Sequence, residues 1–214
     1  MLVSRISLTA LTAAAVLLAG AGTAPAAPAD SSGQTSRPAA SSIAAVSHFD
    51  DGSFETPEVK PSTFDEFAAG QSFGPWKVTR GNVDLIGAGY WQAAEGDQSL
   101  DLNGNDAGAV SQTFTTKPGT RYTVTYSLAG NPELDQVPPL KTGKVLLDGQ
   151  NVQDFSFDVT GRTKRNMGYV RRQVTFVATG PSTTLTFAST TLHSATGPVI
   201  DDVTVERCKP ACCD

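Results

Sequence analysis

The stretch Tyr122-Thr123-Val124-Thr125-Tyr126-Ser127-Leu128 decides the fold class, because large apolar side chains alternate strictly with small polar ones. Such an alternation places the four large side chains on one face of a β-strand, and we expect that face to lie in a core. The residues before it, Lys117-Pro118-Gly119-Thr120, have the Gly and Pro content of a turn. The stretch therefore predicts a half-buried strand that follows a chain reversal.

Short runs of the same kind lie on both sides of this strand, and turn-forming residues separate them. They cover residues 76–79, 83–86, 98–102, 109–115, 144–147, 152–157, 170–178, 183–188 and 199–205. The segment between Phe54 and Trp76 is interpreted as a loop with one short helical turn at residues 63–69, and no longer helix is predicted. Many short alternating strands predict an all-β sandwich, and their number favours a jelly roll over an immunoglobulin module.

The first 29 residues have the pattern of a secretory signal peptide. Arg5 precedes an apolar run from Ile6 to Gly20, and the small residues Ala24-Pro25-Ala26 follow as a cleavage-type site. The run is shorter than the roughly 20 apolar residues that a membrane span requires. We therefore expect residues 1–29 to be a signal peptide and the protein to be secreted and extracellular, without membrane insertion.

Residues 30–46 consist mainly of Ala, Ser, Pro, Gly and Thr. This composition cannot bury enough apolar surface to offset the entropy of ordering, so we predict a disordered linker. The β-sandwich domain then covers residues 47–207, which is long enough for a substantial core. The formal net charge of -5 gives no electrostatic reason to expect nucleic acid or an anionic membrane as a partner.

The three cysteines of the chain, Cys208, Cys212 and Cys213, all lie in a tail at residues 208–214. An oxidising exterior favours a small disulfide loop that uses two of them. The remaining thiol could then couple to an envelope protein. A zinc site is the alternative, but three close cysteines without a nearby His form an incomplete ligand set.

Two adjacent acids, Asp201 and Asp202, lie within the last predicted strand. Asp is unfavourable in strands, and a buried carboxylate is costly unless it has a cation or hydrogen-bond donors. One explanation is a strand end with both acids in water. The other is a metal site that joins this strand to the start of the domain, where Asp51 and Glu55 supply two more carboxylates.

Large aromatic residues occur in a loop at Tyr90-Trp91-Gln92. Aromatic rings stack on the C–H faces of sugars, while neighbouring amides and carboxylates bind the hydroxyl groups. These three residues, with Asp84 and Asn131, could therefore form a carbohydrate platform. The alternative is that Trp91 closes one end of the sandwich.

No catalytic constellation is evident. The stretch Gly70-Gln71-Ser72-Phe73-Gly74 matches the Gly-x-Ser-x-Gly pattern of serine hydrolases, but that motif requires a helix after the serine, and Pro75 follows at once. The chain has two histidines to serve as a general base, His48 and His193. No acid pair stands out at the spacing that a glycosidase needs. We expect a protein that is not an enzyme.

Six short motifs, in this order, resemble the bacterial choice-of-anchor C family and the plant cell-wall domain-of-unknown-function 642 family. They are Asp51-Gly52-Ser53-Phe54-Glu55, Trp76-Lys77-Val78, Gly81-Asn82-Val83-Asp84-Leu85-Ile86, Tyr90-Trp91-Gln92-Ala93-Ala94-Glu95-Gly96, Ser99-Leu100-Asp101-Leu102-Asn103-Gly104 and Gly197-Pro198-Val199-Ile200-Asp201-Asp202-Val203. The resemblance implies a secreted, galactose-binding-like jelly roll whose ligand is a carbohydrate or cell-wall polymer.

The same resemblance implies a structural calcium ion. Glu55 and Asp201 match the positions that hold calcium in similar carbohydrate-binding jelly rolls, and carboxylate oxygens are ligands that calcium prefers. Asp51 stands where such families often carry Asn, and Asp202 is expected to face solvent.

These observations favour a secreted, non-catalytic module that binds a polysaccharide or other glycan and is stabilised by calcium. A structural or protein-interaction domain of the cell envelope, linked through the cysteine tail, is the alternative. A glycan-active hydrolase or esterase is the third hypothesis.

Overall fold

A computed structural model describes residues 48–133 and 138–208. The predicted signal peptide, the predicted linker, Cys212 and Cys213 lie outside the described residues. None of the described residues forms a helix that is long and apolar enough to cross a membrane.

The described residues form twelve β-strands. These are β1 (Phe64–Ala68), β2 (Ser72–Phe73), β3 (Trp76–Arg80), β4 (Asn82–Ile86), β5 (Ser99–Asp101), β6 (Ala109–Thr115), β7 (Arg121–Gly130), β8 (Leu140–Leu147), β9 (Gln150–Asp158), β10 (Val170–Val177), β11 (Ser182–Ser189) and β12 (Pro198–Arg207).

The strands form two antiparallel sheets that pack face to face. The first sheet has the order β1-β4-β5-β12-β7-β10, and the second has the order β2-β3-β6-β11-β8-β9. Trp76, Tyr126, Phe54, Phe114 and Phe187 are the largest fully buried apolar side chains among the described residues. The all-β jelly-roll sandwich that the sequence predicted is confirmed.

Strand β7 lies inside the first sheet, between β12 and β10. The side chains of Tyr122, Val124, Tyr126 and Leu128 are at most 4% exposed, as their alternation predicted. The opposite face of a half-buried strand carries its small polar residues, so burial here follows directly from the period of two.

Strand β12 is irregular at its two acids. Its register against β7 shifts between Asp201 and Thr204, and Asp202 adopts a φ of 48°. At this irregularity the backbone N–H of Val203 donates to the carbonyl oxygen of Gly52 at 2.9 Å. A Cβ atom on Gly52 would lie 1.8 Å from the Val203 carbonyl oxygen, so only glycine permits this close approach. The last strand is thus joined to the start of the domain through the backbone.

Two expectations for local structure are wrong. Residues 63–69 do not form a helical turn, because Phe64–Ala68 form strand β1 and pair with Ile86 to Asn82 of β4. Strand β8 begins at Leu140, whereas the sequence pattern placed its start at Lys144. Lys141 and Gly143 occupy the first inward positions of β8, and neither is a large apolar residue of the kind that indicates a buried strand position.

Cys208 lies directly after β12. Its backbone N–H donates to the carbonyl oxygen of Arg121 at 3.0 Å, and its Sγ atom lies 3.2 Å from Oγ1 of Thr123.

Candidate functional site

A cavity of about 310 Å³ lies beside the first sheet. Alternation along β4 directs Asp84 to the face opposite Val83 and Leu85, both of which are fully buried. The residues that line the cavity are Phe64, Glu66, Asp84, Ile86, Tyr90, Trp91, Gly104, Asn105, Asn131, Glu133, Ala195 and Thr196. The cavity therefore combines aromatic rings with carboxylate and amide groups.

Sheet register creates a row of three acids, of which Glu66 and Asp84 line the cavity. Glu66 of β1 pairs with Asp84 of β4, and Asp84 pairs with Asp101 of β5. Paired residues project their side chains on the same side of an antiparallel sheet. Their proximity therefore comes from strand pairing, although the three residues lie far apart in the sequence.

The carboxylate of Asp84 is poorly satisfied. Its Oδ1 atom is buried and accepts no hydrogen bond from any residue in 48–133 or 138–208. Burial raises the pKa of Asp84 to about 7, and the neighbouring charge of Glu66 adds to the shift. A buried acceptor without a donor costs about 1–3 kcal/mol.

Asp101, by contrast, is fully buried and accepts hydrogen bonds at both oxygens. Its Oδ1 atom accepts from the backbone N–H groups of Asn103 and Gly197, at 2.9 and 3.1 Å. Its Oδ2 atom accepts from Nδ2 of Asn131 at 2.7 Å. Burial raises the pKa of Asp101 to about 8 against these hydrogen bonds. Asp101 thus fixes the orientation of Asn131, which lines the cavity.

Lys141 supports the same cavity from within the core. Its side chain is fully buried, and its Nζ atom donates to Oγ1 of Thr196 at 2.7 Å. Burial lowers the pKa of Lys141, while the charge of Asp101 opposes that shift. The amine therefore positions Thr196, a second lining residue.

Three aromatic rings form the apolar part of the cavity. Trp91 is 6% exposed, and its Nε1 atom donates to Oγ of Ser99 at 2.8 Å. Tyr90 packs edge-on against Trp91 and against Phe64, with ring centroids 5.3 and 5.8 Å apart. Phe64 is 46% exposed. Trp91 thus packs in the core while its edge reaches the cavity, whereas Phe64 and Tyr90 present more accessible ring surface.

Four of the five predicted binding residues, Asp84, Tyr90, Trp91 and Asn131, line this one cavity. Gln92 does not. Its backbone N–H donates to the Lys164 carbonyl oxygen at 2.8 Å, and its Oε1 atom accepts from the Met167 N–H at 3.3 Å. Sequence reasoning missed Phe64 and Glu66, since their segment was interpreted as a loop.

Asp201, a predicted calcium ligand, is fully buried and bonded to backbone amides. Its Oδ2 atom accepts from the N–H groups of Ala94 and Glu95 at 2.6 and 3.1 Å. Its Oδ1 atom accepts from the N–H of Asp202 at 2.6 Å. Burial raises the pKa of Asp201 to about 7, and the three amide hydrogen bonds act in the opposite direction.

Glu55 and Asp51 also accept backbone hydrogen bonds. Oε1 of Glu55 accepts from the N–H groups of Asp97 and Gln98 at 2.9 and 3.0 Å. Oδ1 of Asp51 accepts from the N–H of Glu55 at 2.7 Å. In the part of the chain that the structure describes, no group of three or more His, Cys, Asp or Glu side chains could hold a metal ion. Glu55 and Asp201 together brace the loop that carries Tyr90 and Trp91.

The serine of the Gly-x-Ser-x-Gly match does not precede a helix. Ser72 lies in β2, which pairs with β3 directly after it through Phe73 and Trp76. The match therefore lacks the strand-to-helix turn that presents a nucleophilic serine.

One curated protein is similar in sequence to part of this chain. Halomucin from Haloquadratum walsbyi (strain DSM 16790 / HBSQ001) is 31% identical over 132 residues, which are 61% of this chain and 1% of that protein. The chain thus spans about 1% of the length of that curated relative.

Two solved structures are similar to this chain at low identity. One is CBM35 from Paenibacillus barcinonensis, with 15% identity and a TM-score of 0.43 over 66% of this chain and 98% of that chain. The other is TmCBM61 in complex with β-1,4-galactotriose, with 15% identity and a TM-score of 0.45 over 75% of this chain and 98% of that chain. A family model for a protein of unknown function, DUF642, matches residues 47–206. Because this match covers most of the chain, the protein belongs to the DUF642 family.

Proposed function

We propose that this domain is a secreted, non-catalytic module that binds carbohydrate in the cavity between Phe64, Tyr90 and Asp84. The observation that carries the proposal is the lining of that cavity. Accessible aromatic rings lie beside the Asp84 carboxylate, whose Oδ1 atom has no donor among the described residues. A sugar offers both complementary groups, since its C–H faces pack on rings and its hydroxyl groups donate to carboxylates.

The polar groups of the cavity are arranged for hydroxyl recognition. Nδ2 of Asn105 donates to Oε2 of Glu66 at 2.6 Å, and the hydroxyl of Tyr90 donates to Oε2 of Glu133 at 2.7 Å. Carboxylates and amides that are already oriented lose little freedom when a ligand binds. The cavity thus offers a partly pre-organised surface of acceptors around its aromatic rings.

Retention on a panel of neutral and charged polysaccharides tests the proposal. We expect Tyr90→Ala to weaken retention about tenfold or more, because it removes the ring that lines the cavity. Trp91→Ala is a poorer probe, since loss of a core side chain also lowers stability by about 3–5 kcal/mol.

A matched pair of surface amides supplies the control. Asn105 lines the cavity and Asn151 is exposed on β9. We expect Asn105→Ala to weaken retention and Asn151→Ala to leave it unchanged. If a folded wild-type protein is retained on no polysaccharide, the proposal is wrong.

Calcium stabilisation of the fold by Glu55, Asp201 and Asp51 stays a prediction from the family resemblance. Removing calcium with a chelator should lower the melting temperature of a sample that contained calcium at the start. An unchanged melting temperature in such a sample would exclude a structural ion.

A further inference from the structure

A second, more open cavity of about 500 Å³ adjoins the first at Tyr90 and Trp91. Its other lining residues are Gly89, Gln92, Lys164 and Arg165. Among the described residues, the two cavities have only Tyr90 and Trp91 in common. A ligand of more than one sugar unit that contacts Tyr90 could therefore occupy both cavities.

The two cavities carry opposite charges. Glu66, Asp84 and Glu133 line the first cavity, and none of the Lys and Arg residues that the structure describes does. Lys164 and Arg165 line the second cavity, and no Asp or Glu within residues 48–133 or 138–208 does. The formal net charge of the chain is -5, so this basic surface differs from the average of the molecule.

The segment that carries both cations is held in place against the aromatic loop. The Lys164 carbonyl oxygen accepts the backbone N–H of Gln92 at 2.8 Å, and the Met167 N–H donates to Oε1 of Gln92 at 3.3 Å. The Nζ atom of Lys164 lies 3.8 Å from the centroid of the Tyr90 ring and pairs with Glu133. Lys164 is therefore partly neutralised and fixed beside the ring that both cavities share.

Arg165 differs from Lys164 in being available to a ligand. It is exposed, and no residue in 48–133 or 138–208 forms an ion pair or hydrogen bond with its side chain. A guanidinium group offers a planar set of donors that matches the two oxygens of an anionic group. Arg165, next to the fixed Lys164, gives the second cavity its excess positive charge.

We infer that the second cavity is a subsite for an anionic group on an extended glycan, either a uronate carboxylate or a sulfate ester. A neighbouring sugar of the same glycan occupies the first cavity, so the inference rests on the proposed function. Tyr90 contributes to binding in both cavities, whereas Arg165 selects for the charge.

Matched glycans that differ only in charge test this subsite. One pair is polygalacturonate and the same polymer with its carboxylates reduced to alcohols. The other is a sulfated galactan before and after desulfation. Titration calorimetry should show about fivefold tighter binding of the charged member of at least one pair, and the responding pair identifies the anion. Higher salt should reduce this preference, because the contact is partly exposed.

Arg165→Gln and Arg172→Gln separate the subsite from general attraction to a polyanion. Both substitutions remove one positive charge, and Arg172 is exposed on β10, outside both cavities. We expect the Arg165→Gln variant to lose the tighter binding of the charged glycan and the Arg172→Gln variant to keep it. Equal loss in both variants would show non-specific attraction and overturn the subsite.

Two further outcomes separate this inference from the proposed function. If the neutral glycans bind and neither charged glycan binds more tightly than its neutral partner, the subsite alone would be overturned. Binding of no glycan at all would overturn the subsite together with the proposed function.

Discussion

Asp201 and Asp84 both lie on strands of the first sheet, yet the protein satisfies their oxygens in opposite ways. The carboxylate of Asp201 accepts three backbone N–H groups, and two of them belong to the loop that carries Tyr90 and Trp91. Oδ1 of Asp84 accepts none from the described residues, although burial raises the pKa of each acid to about 7. A raised pKa therefore does not distinguish an acid that holds the fold from one that faces a ligand.

The number of hydrogen-bond donors makes that distinction. A buried acceptor with all its donors stabilises a single backbone arrangement, whereas a buried acceptor without donors costs free energy until a partner arrives. Asp201 is an acceptor of the first kind, and we propose that Asp84 is one of the second; the following predictions test that contrast.

Asp201→Asn should cause the largest effect, a fall of about 2–4 kcal/mol in the free energy of unfolding. The new amide group would face a backbone N–H and leave it without an acceptor. Urea denaturation of both variants measures the difference. The adjacent variant Asp202→Asn is the control, because the partly exposed Asp202 carboxylate pairs with Arg171 and accepts a long hydrogen bond, at 3.4 Å, from Oγ of Ser127. We expect a change below about 1 kcal/mol in the control, and equal effects of the two substitutions would contradict the assignment.

Asp84→Asn should raise the free energy of unfolding by about 1–3 kcal/mol near pH 8, because it removes a buried charge that faces Glu66. The same substitution should weaken retention on polysaccharide, since it removes a charged acceptor from the cavity. Denaturation and retention measured on the same preparation test both parts. A destabilised variant with unchanged retention would show that Asp84 has a structural role.

The stability difference between wild type and Asp84→Asn should also depend on pH. The folded protein keeps the Asp84 proton up to about pH 7, whereas the unfolded chain releases it near the ordinary value of 3.8. Between these two pKa values the folded state binds more protons than the unfolded chain. The stability that Asp84 contributes is therefore present below this pH range and is lost as the pH rises through it. Melting curves should show the two proteins diverging by up to about 1.4 kcal/mol per pH unit. Parallel curves across the window would contradict the shifted pKa.

Gly104→Ala should have the smallest effect, a loss of about 1 kcal/mol. A Cβ atom at Gly104 would lie 3.0 Å from Oδ1 of Asp84, from Oε2 of Glu66 and from Cγ of Asn82, so the cavity side chains must move slightly. Gly180→Ala is the control, because a Cβ atom there meets nothing closer than 3.5 Å. Thermal melting should separate the two variants. A loss of stability in Gly180→Ala as large as that in Gly104→Ala would show that the effect does not come from the cavity.

Much of the fold follows from local pattern. The alternation at residues 122–128 predicted strand β7 and its buried face, because a period of two determines which side chains share a face. Strand β1 and the start of β8 could not be predicted in this way. The exposed strand β1 mixes charged and aromatic residues, and the inward positions of β8 begin with Lys141 and Gly143.

The candidate site was predictable only in part. Aromatic residues in a loop identified Tyr90 and Trp91, and polar neighbours suggested Asp84 and Asn131. Phe64 and Glu66 could not be assigned to the cavity, since they reach it through the pairing of β1 with β4. That pairing joins segments about twenty residues apart, which no short-range pattern records.

The sequence by itself determined that the domain is all-β, which side chains of β7 face the core, and that acids lie within the last strand. It could not determine which buried carboxylates of the first sheet receive hydrogen bonds. Two of the three donors to Asp201 are the N–H groups of Ala94 and Glu95, more than 100 residues away. Asp84 lies in the sheet next to Glu66 and Asp101, yet its Oδ1 atom receives no donor from the described residues. Only the tertiary structure decides this difference, because hydrogen-bond satisfaction depends on which backbone groups the fold brings within 3 Å of a side chain.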